Sequence, residues 1–354
     1  MDSQNHASIS TLVKKTYQSG ALASDFRLAC KMFAFIIRRL GQALLVLMAV
    51  GFVSFAMFKF MGDPVENMLG QEATAADRAE LEERLGLNDP IVVQYVRYFQ
   101  RALTGDFGVS YRVGLPVGEV ILERLPATLE LAFLSGVIAI SLGFILGVYT
   151  AIRRDGYFAN FIMTASLIGV SLPTFLIGVF LIWLFAVKLG WLPSFGRGET
   201  RSLFGVDLAI LTWNGFKSMI LPAVTLGLYQ MTLIMRLVRA EMLEVLRTDY
   251  IRFAKARGLS QRSVNFGHAM KNTLVPVITV TGLQFGSIVA FAIITESVFQ
   301  WPGVGLLFIN AVSFVDIPVM SAYLLLVAVI FVTVNLIVDM LYYAIDPRLS
   351  VRSN

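Results

Sequence analysis

The sequence predicts an all-α polytopic membrane protein with six transmembrane helices, and three observations carry that prediction. Of 354 residues, 56% are hydrophobic and only 15% are charged, against roughly a quarter charged in a soluble domain. The apolar residues fall into six long charge-free runs, each near or above the ~20 residues a helix needs to cross a bilayer with its backbone groups satisfied internally. Lys and Arg concentrate in alternate connections, as they do on the cytoplasmic side of membrane proteins. Together these exclude a soluble fold and a disordered chain. A single Cys excludes a disulfide scaffold, and the net charge of +5 reads as topology rather than nucleic-acid binding.

The predicted spans are Leu40–Phe58, Leu131–Ile152, Gly156–Val187, Ser218–Met235, Asn272–Thr295 and Ile317–Val338. Gly156–Val187 is long and carries Pro173 at its middle, so a single tilted, kinked helix is expected. Ser297–Val315 is also apolar, but Trp301-Pro302-Gly303-Val304-Gly305 would break a helix near its start. It is expected to be interfacial or re-entrant.

Basic residues then set the sides. The N-terminal segment holds Lys14, Lys15, Arg27, Lys31, Arg38 and Arg39, and the second connection Arg153 and Arg154. The stretch from Arg236 to Lys271 carries eight basic residues against three acids, while the connection between the fifth and sixth spans has neither Lys nor Arg. Both termini are therefore expected in the cytoplasm. Residues 1–31 show no apolar periodicity and are expected to be disordered. The long first run, with no small-residue cleavage site after it, reads as an uncleaved anchor.

Two connections show more pattern than the rest. In the first, Thr74 is placed to cap a helix through about Leu85, and Asn88 a second with Pro90 in its first turn. Ile91, Tyr95, Tyr98, Phe99 and Leu103 then share one face, and Gly105-Asp106-Phe107-Gly108 forms a turn. This is either a hairpin packed on the membrane domain or a docking surface. In the fourth connection, Asp249–Arg257 reads as a short basic helix stopped at Gly258. Ser260 caps the next helix, expected to run from Gln261 to about Leu274 and meet Pro276. Small residues Ala254, Ala256 and Gly258 at the turn suit a surface pressed into a groove of another protein. The alternative is a basic loop that only sets topology.

Several separated motifs resemble the permease subunits of peptide-type ATP-binding-cassette importers over about Met32 to Arg348. They are Arg38-Arg39-Leu40, Gly62-Asp63-Pro64, Gly105-Asp106-Phe107-Gly108-Val109-Ser110, Arg124 to Ala132, Ser171-Leu172-Pro173, Leu221-Pro222-Ala223, Asp249-Tyr250-Ile251-Arg252 with Ala254 and Ala256 ahead of Gly258-Leu259-Ser260, His268-Ala269, Asn272 and Pro276, Glu296 to Gly305, Asn335 to Asp339, and Asp346-Pro347-Arg348. The resemblance implies a type I importer core arranged as 1–31 extension, 32–61 first helix, 62–127 periplasmic loop, 128–347 five-helix core with a coupling loop at 239–275, and 348–354 tail. It implies that Asp249, Tyr250, Ala254, Ala256, Gly258, Leu259 and Ser260 form the element that enters the ATPase subunit. Arg252 and Phe253 stand where the wider importer motif has Glu-Ala, a departure that points to the peptide-importer variant. The implied partners are a second permease subunit in a heterodimer, two ATPase subunits, a periplasmic substrate-binding protein and membrane lipid, without nucleic acid.

There is no Gly-x-x-x-x-Gly-Lys-Ser/Thr loop, so ATP and Mg are expected in the partner subunits, with no cofactor held by this chain. His6, His268 and one Cys cannot compose a metal cluster or a catalytic triad, so no enzyme is expected. Ionisable residues in the runs sit at their ends: Glu130, Glu296 and Asp339. Asp339 is placed to pair with an Arg. Mid-span Ser166, Ser171, Thr225, Gln230, Gln284, Ser287 and Asn335 are neutral and read first as interhelical hydrogen-bonding groups. Ser171, Pro173, Gln284, Ser287 and Glu296 are candidates for lining or gating a pathway. A stand-alone ion-coupled transporter, the other function class, would need buried charges that the runs lack.

Overall fold

The computed structural model describes residues 37–57, 59–60 and 88–345, with Thr74, Ala76, Ala79 and Glu83 between them. The N-terminal extension, Cys30 and the helix expected over residues 74–85 lie outside the described residues, apart from those four positions. The order is α1 (Ile37–Met57), α2 (Ile91–Leu103), α3 (Val117–Ile152), α4 (Tyr157–Ser171) and α5 (Thr174–Leu181). A π-helical turn, Ile182–Lys188, extends α5. The hairpin of β1 (Arg201–Leu203) and β2 (Val206–Leu208) follows. Then come α6 (Trp213–Val245), α7 (Asp249–Ala256), α8 (Met270–Phe299), α9 (Val304–Ser313) and α10 (Ile317–Ile345).

Among the described residues four helices, α1, α3, α6 and α10, are long and apolar enough to cross a membrane; counting two bent helix pairs as single spans gives up to six. At the centre α3 and α6 run parallel, and small residues set their approach. A Cβ on Gly147 would lie 2.6 Å from Val238 Cβ, one on Gly143 2.9 Å from the Met231 carbonyl oxygen, and one on Gly227 2.9 Å from that of Ser135. Close backbone approach replaces the hydrophobic drive that is missing between helices in lipid. Pro126 and Pro222 each lie inside these helices, nine residues past the first residue. They are not helix starts, as the repeated Leu-Pro-Ala could suggest. The α6 helix begins upstream of the expected Ser218, where Thr212 Oγ1 accepts from Gly215 N at 3.0 Å.

The third run departs from the expected single kinked helix: α4 and the α5 segment meet at 109°. Pro173 supplies no N–H and disfavours helix at Leu172, and it stands as the N-cap of α5. The α8 helix bends by a gentler 44° between Pro276–Gly282 and Gly286–Phe299. At ten residues, α9 is too short to cross.

Asn88 does not cap α2; Pro90 does, its carbonyl accepting from Val93 N and Gln94 N. Tyr95, Tyr98 and Phe99 lie against α1, where Tyr98 Oη and Ser54 Oγ are 2.7 Å apart and Tyr95 Oη donates to Met48 O. Phe99 sits over Gly51. Ile91 and Leu103, expected on the same face, are exposed. In the following turn the Arg101 guanidinium holds the Asp106 carboxyl below its usual range, helped by Gly108 N–H.

Candidate functional site

At one end of the bundle, α6 leads into α7, a glycine turn and the start of α8. Ile251 and Ala254 of α7 are buried with Ala151, Met242, Val264 and Ala269, so one face of this short helix belongs to the protein's own core. The other face is open: Tyr250, Phe253 and Leu259 are exposed, Phe253 by 64%. Arg257 lies 5.9 Å from the Phe253 ring. Gly258 has φ +79° and open space where a Cβ would be, so glycine is required there by backbone conformation, not by crowding. Ser260 receives the Ser263 N–H on its hydroxyl, and the chain continues through a π-helical turn (Ser263–Ala269) into α8 without stopping at Pro276.

Small size therefore means different things at the three positions. Ala254 is buried against the protein itself; Ala256 and Gly258 are exposed. Phe253, absent from the predicted set, is the largest open apolar group of the turn. Its spacing from Ile251 and Ala254 was the available signal. The surface ion pair Arg252–Asp249, at 3.3 Å and highly exposed, adds little.

Gln284 and Ser287 are half-buried on α8, within a stripe that includes the exposed Val280, Phe291 and Ile294. Ser171 and Pro173 are exposed at the α4–α5 break. Glu296 does not join them. Fully buried, it accepts from Thr128 Oγ1 at 2.5 Å and Leu306 N at 2.9 Å. Gly303 and Gly305 leave room for its carboxyl, and Thr128 Oγ1 also receives Val304 N–H. Trp301 Nε1 donates to Ala127 O. Glu296 is thus enclosed as the anchor of the first turn of α9. Its buried carboxyl sets it apart from the exposed Ser171 and Pro173 and the half-buried Gln284 and Ser287.

The other ionisable groups are also tied. Glu130 accepts from Arg197 at 2.5 Å and from Ile210 N, holding the hairpin against α3. Arg39 and Asp339 form an ion pair of 2.9 Å that joins the first and last described helices. Asp316, buried and not singled out by sequence, gathers Ser110 Oγ, Tyr111 N and Arg112 N. Ser166 and Thr225 hydrogen-bond carbonyls of their own helices, Met163 O and Leu221 O, rather than crossing between helices.

A bundle of apolar helices around a small-residue parallel pair, with a helix, glycine turn and helix at one end, defines a polytopic integral membrane protein. Residues 143–351 match the family described as "Binding-protein-dependent transport system inner membrane component", and residues 32–132 its companion, "Binding-prot-dependent transport system membrane comp, N-term". The chain belongs to this family. It is 42% identical over 331 residues to the "Dipeptide transport system permease protein DppB" of Alkalihalophilus pseudofirmus, covering 90% of this chain and 99% of that one. It is 40% identical over 332 residues to the "Di/tripeptide transport system permease protein DppB" of Pseudomonas aeruginosa, and 38% over 320 residues to the "Oligopeptide transport system permease protein AppB" of Bacillus subtilis, with the same coverages. The fold matches a solved inward-facing structure of the MetNI methionine ABC transporter, with a TM-score of 0.52 and 17% identity, over 64% of this chain and 97% of that one.

Proposed function

We propose that this chain forms half of the translocation pathway of an ATP-driven peptide importer, with a second, different permease subunit as the other half. Two ATPase subunits bind ATP and Mg²⁺ and engage the α7 turn, and a periplasmic binding protein delivers the peptide to the opposite end. The observation that carries this reading is the α7 turn itself. Ile251 and Ala254 fasten it to the bundle while Phe253 stands 64% exposed beside Gly258. An isolated loop that only set topology would need no such apolar projection. Relatives named for dipeptides, di/tripeptides and oligopeptides support the substrate class.

In this reading the membrane is the bacterial inner membrane and both termini are cytoplasmic. The Arg39–Asp339 pair supports a shared side for the two ends, and Val338 lies against Gly282, on the α7 half of α8. Gln284, Ser287, Ser171 and Pro173 border the pathway. Family membership argues against a stand-alone ion-coupled transporter.

The test is Gly258→Val in the assembled importer. Membrane insertion should persist, and substrate-stimulated ATP hydrolysis should be lost. A fully stimulated variant would refute the coupling role of the turn.

A further inference from the structure

Among the described residues, one side-chain hydrogen bond leaves α7 for another helix: Asn272 Nδ2 donates to Tyr250 Oη at 2.5 Å. The other side-chain attachments of α7 are apolar, through Ile251 and Ala254, or local to the turn, such as Arg252–Asp249 and Arg257 over the Phe253 ring. Apolar contacts resist separation but set no direction, whereas a hydrogen bond fixes both distance and angle. Tyr250 lies in the first turn of α7 and Asn272 in the first turn of α8.

The α8 helix can convert a push at that end into a change farther along. Its bend of 44° falls between Gly282 and Gly286. At Gly282 a Cβ would lie 2.5 Å from Val338 Cγ2, and at Gly286 2.9 Å from Phe331 Cδ2. Glycine therefore lets α8 lie flush on α10 on either side of the bend. Away from that contact runs the stripe of Val280, Gln284, Ser287, Phe291 and Ile294, whose spacing alternates by four and three residues along one helical face. Rotating the lower half of α8 about the glycine segment moves the lower part of this stripe relative to its upper part.

We infer that Asn272 is a positioning residue that ties the coupling helix to the span that bends, so that motion of α7 reaches the Gln284–Ser287 face through the Tyr250–Asn272 bond. This rests on the coupling role proposed for α7. It adds a specific link that the docking surface alone does not supply.

The experiment uses the full importer, with its ATPase subunits and binding protein, in liposomes. Co-purification of ATPase subunits, peptide-stimulated ATP hydrolysis and peptide taken up per ATP are measured for Asn272→Ala, Asn272→Asp, Tyr250→Phe and the Asn272→Ala/Tyr250→Phe double variant. Asn272→Ala is expected to keep its ATPase subunits and to lose stimulation by about three- to tenfold, the factor for one hydrogen bond. Asn272→Asp, which accepts from the Tyr250 hydroxyl, should restore stimulation. The double variant should be no worse than the more impaired single, as groups acting through one bond are not additive. Full stimulation in Asn272→Ala, or additive losses in the double variant, overturns the link. Loss of ATPase subunits from Asn272→Ala overturns it too, because Asn272 then serves docking or folding. If the unaltered chain itself fails to retain ATPase subunits, the coupling reading falls first and the link with it.

Discussion

Removing the Glu296 carboxyl separates a structural role from a gating role. In Glu296→Ala, Leu306 N and Thr128 Oγ1 lose their acceptor inside a fully buried site. Each buried group left without a partner costs about 1–3 kcal/mol, so the two together cost roughly 2–6 kcal/mol before any cavity term. The loss should fall on the turn from α8 into α9, where Gly303 and Gly305 enclose the carboxyl. Glu296→Gln keeps the size and one carbonyl acceptor, and should lose no more than about half as much. The assay is the heating midpoint of the detergent-purified assembly by size-exclusion chromatography, paired with peptide uptake at a temperature where every variant remains assembled. The expected order of midpoints is unaltered chain, then Gln, then Ala, with uptake per assembled complex little changed. An unchanged midpoint in Glu296→Ala combined with lost uptake would refute the structural assignment and return Glu296 to the pathway.

Gly147→Val should separate α3 from α6, because its Cβ would meet Val238 and the Met235 carbonyl. A cost of about 1–3 kcal/mol, read as a lower heating midpoint, contrasts with Gly41→Ala, where nothing lies within 4 Å and no loss is expected. Arg197→Ala leaves the Glu130 carboxyl buried with one of its two partners removed; a loss of about 3–5 kcal/mol in the same melt is expected, and Arg197→Lys should recover part of it. Asp316→Ala should free the segment of Ser110 to Arg112 from the start of α10, raising its protease sensitivity before global melting.

Much of the architecture was legible because length and composition nearly determine where a helix can sit in lipid. The six runs correspond to described helices, and the Pro-Gly interruption after Trp301 correctly marked a short element. Sequence periodicity failed where the deciding force was local backbone chemistry. Pro173 turns the chain by 109° rather than kinking it, and Pro126 and Pro222 sit inside helices whose polar first turns extend beyond the apolar runs. The hairpin at 201–208 has strands of only three residues, too short for a periodic pattern, and its flanking Arg197 and Ile210 are held by Glu130, 67 and 80 residues away.

In the α7 turn, residue size was a poor guide to direction. Ala254 was grouped with Ala256 and Gly258 because all are small, yet Ala254 faces the core while Phe253 faces outward. Only the three-residue spacing between the buried Ile251 and Ala254 carried that distinction. Glu296 looked available because a carboxyl at a span end reads as wet. Thr128 and the α9 amide that enclose it are 168 and 10 residues away in sequence, beyond the reach of any local pattern.

The central claim is that the open face of α7 receives an ATPase subunit. Single cysteines placed at Phe253, Ala254, Ala256 and Arg257, in a chain with Cys30 replaced by Ser, can be cross-linked in membranes that contain the ATPase subunits. Adducts to an ATPase subunit are expected from positions 253, 256 and 257 and not from the buried 254. No adduct at any exposed position, or equal yield from 254, would contradict the account.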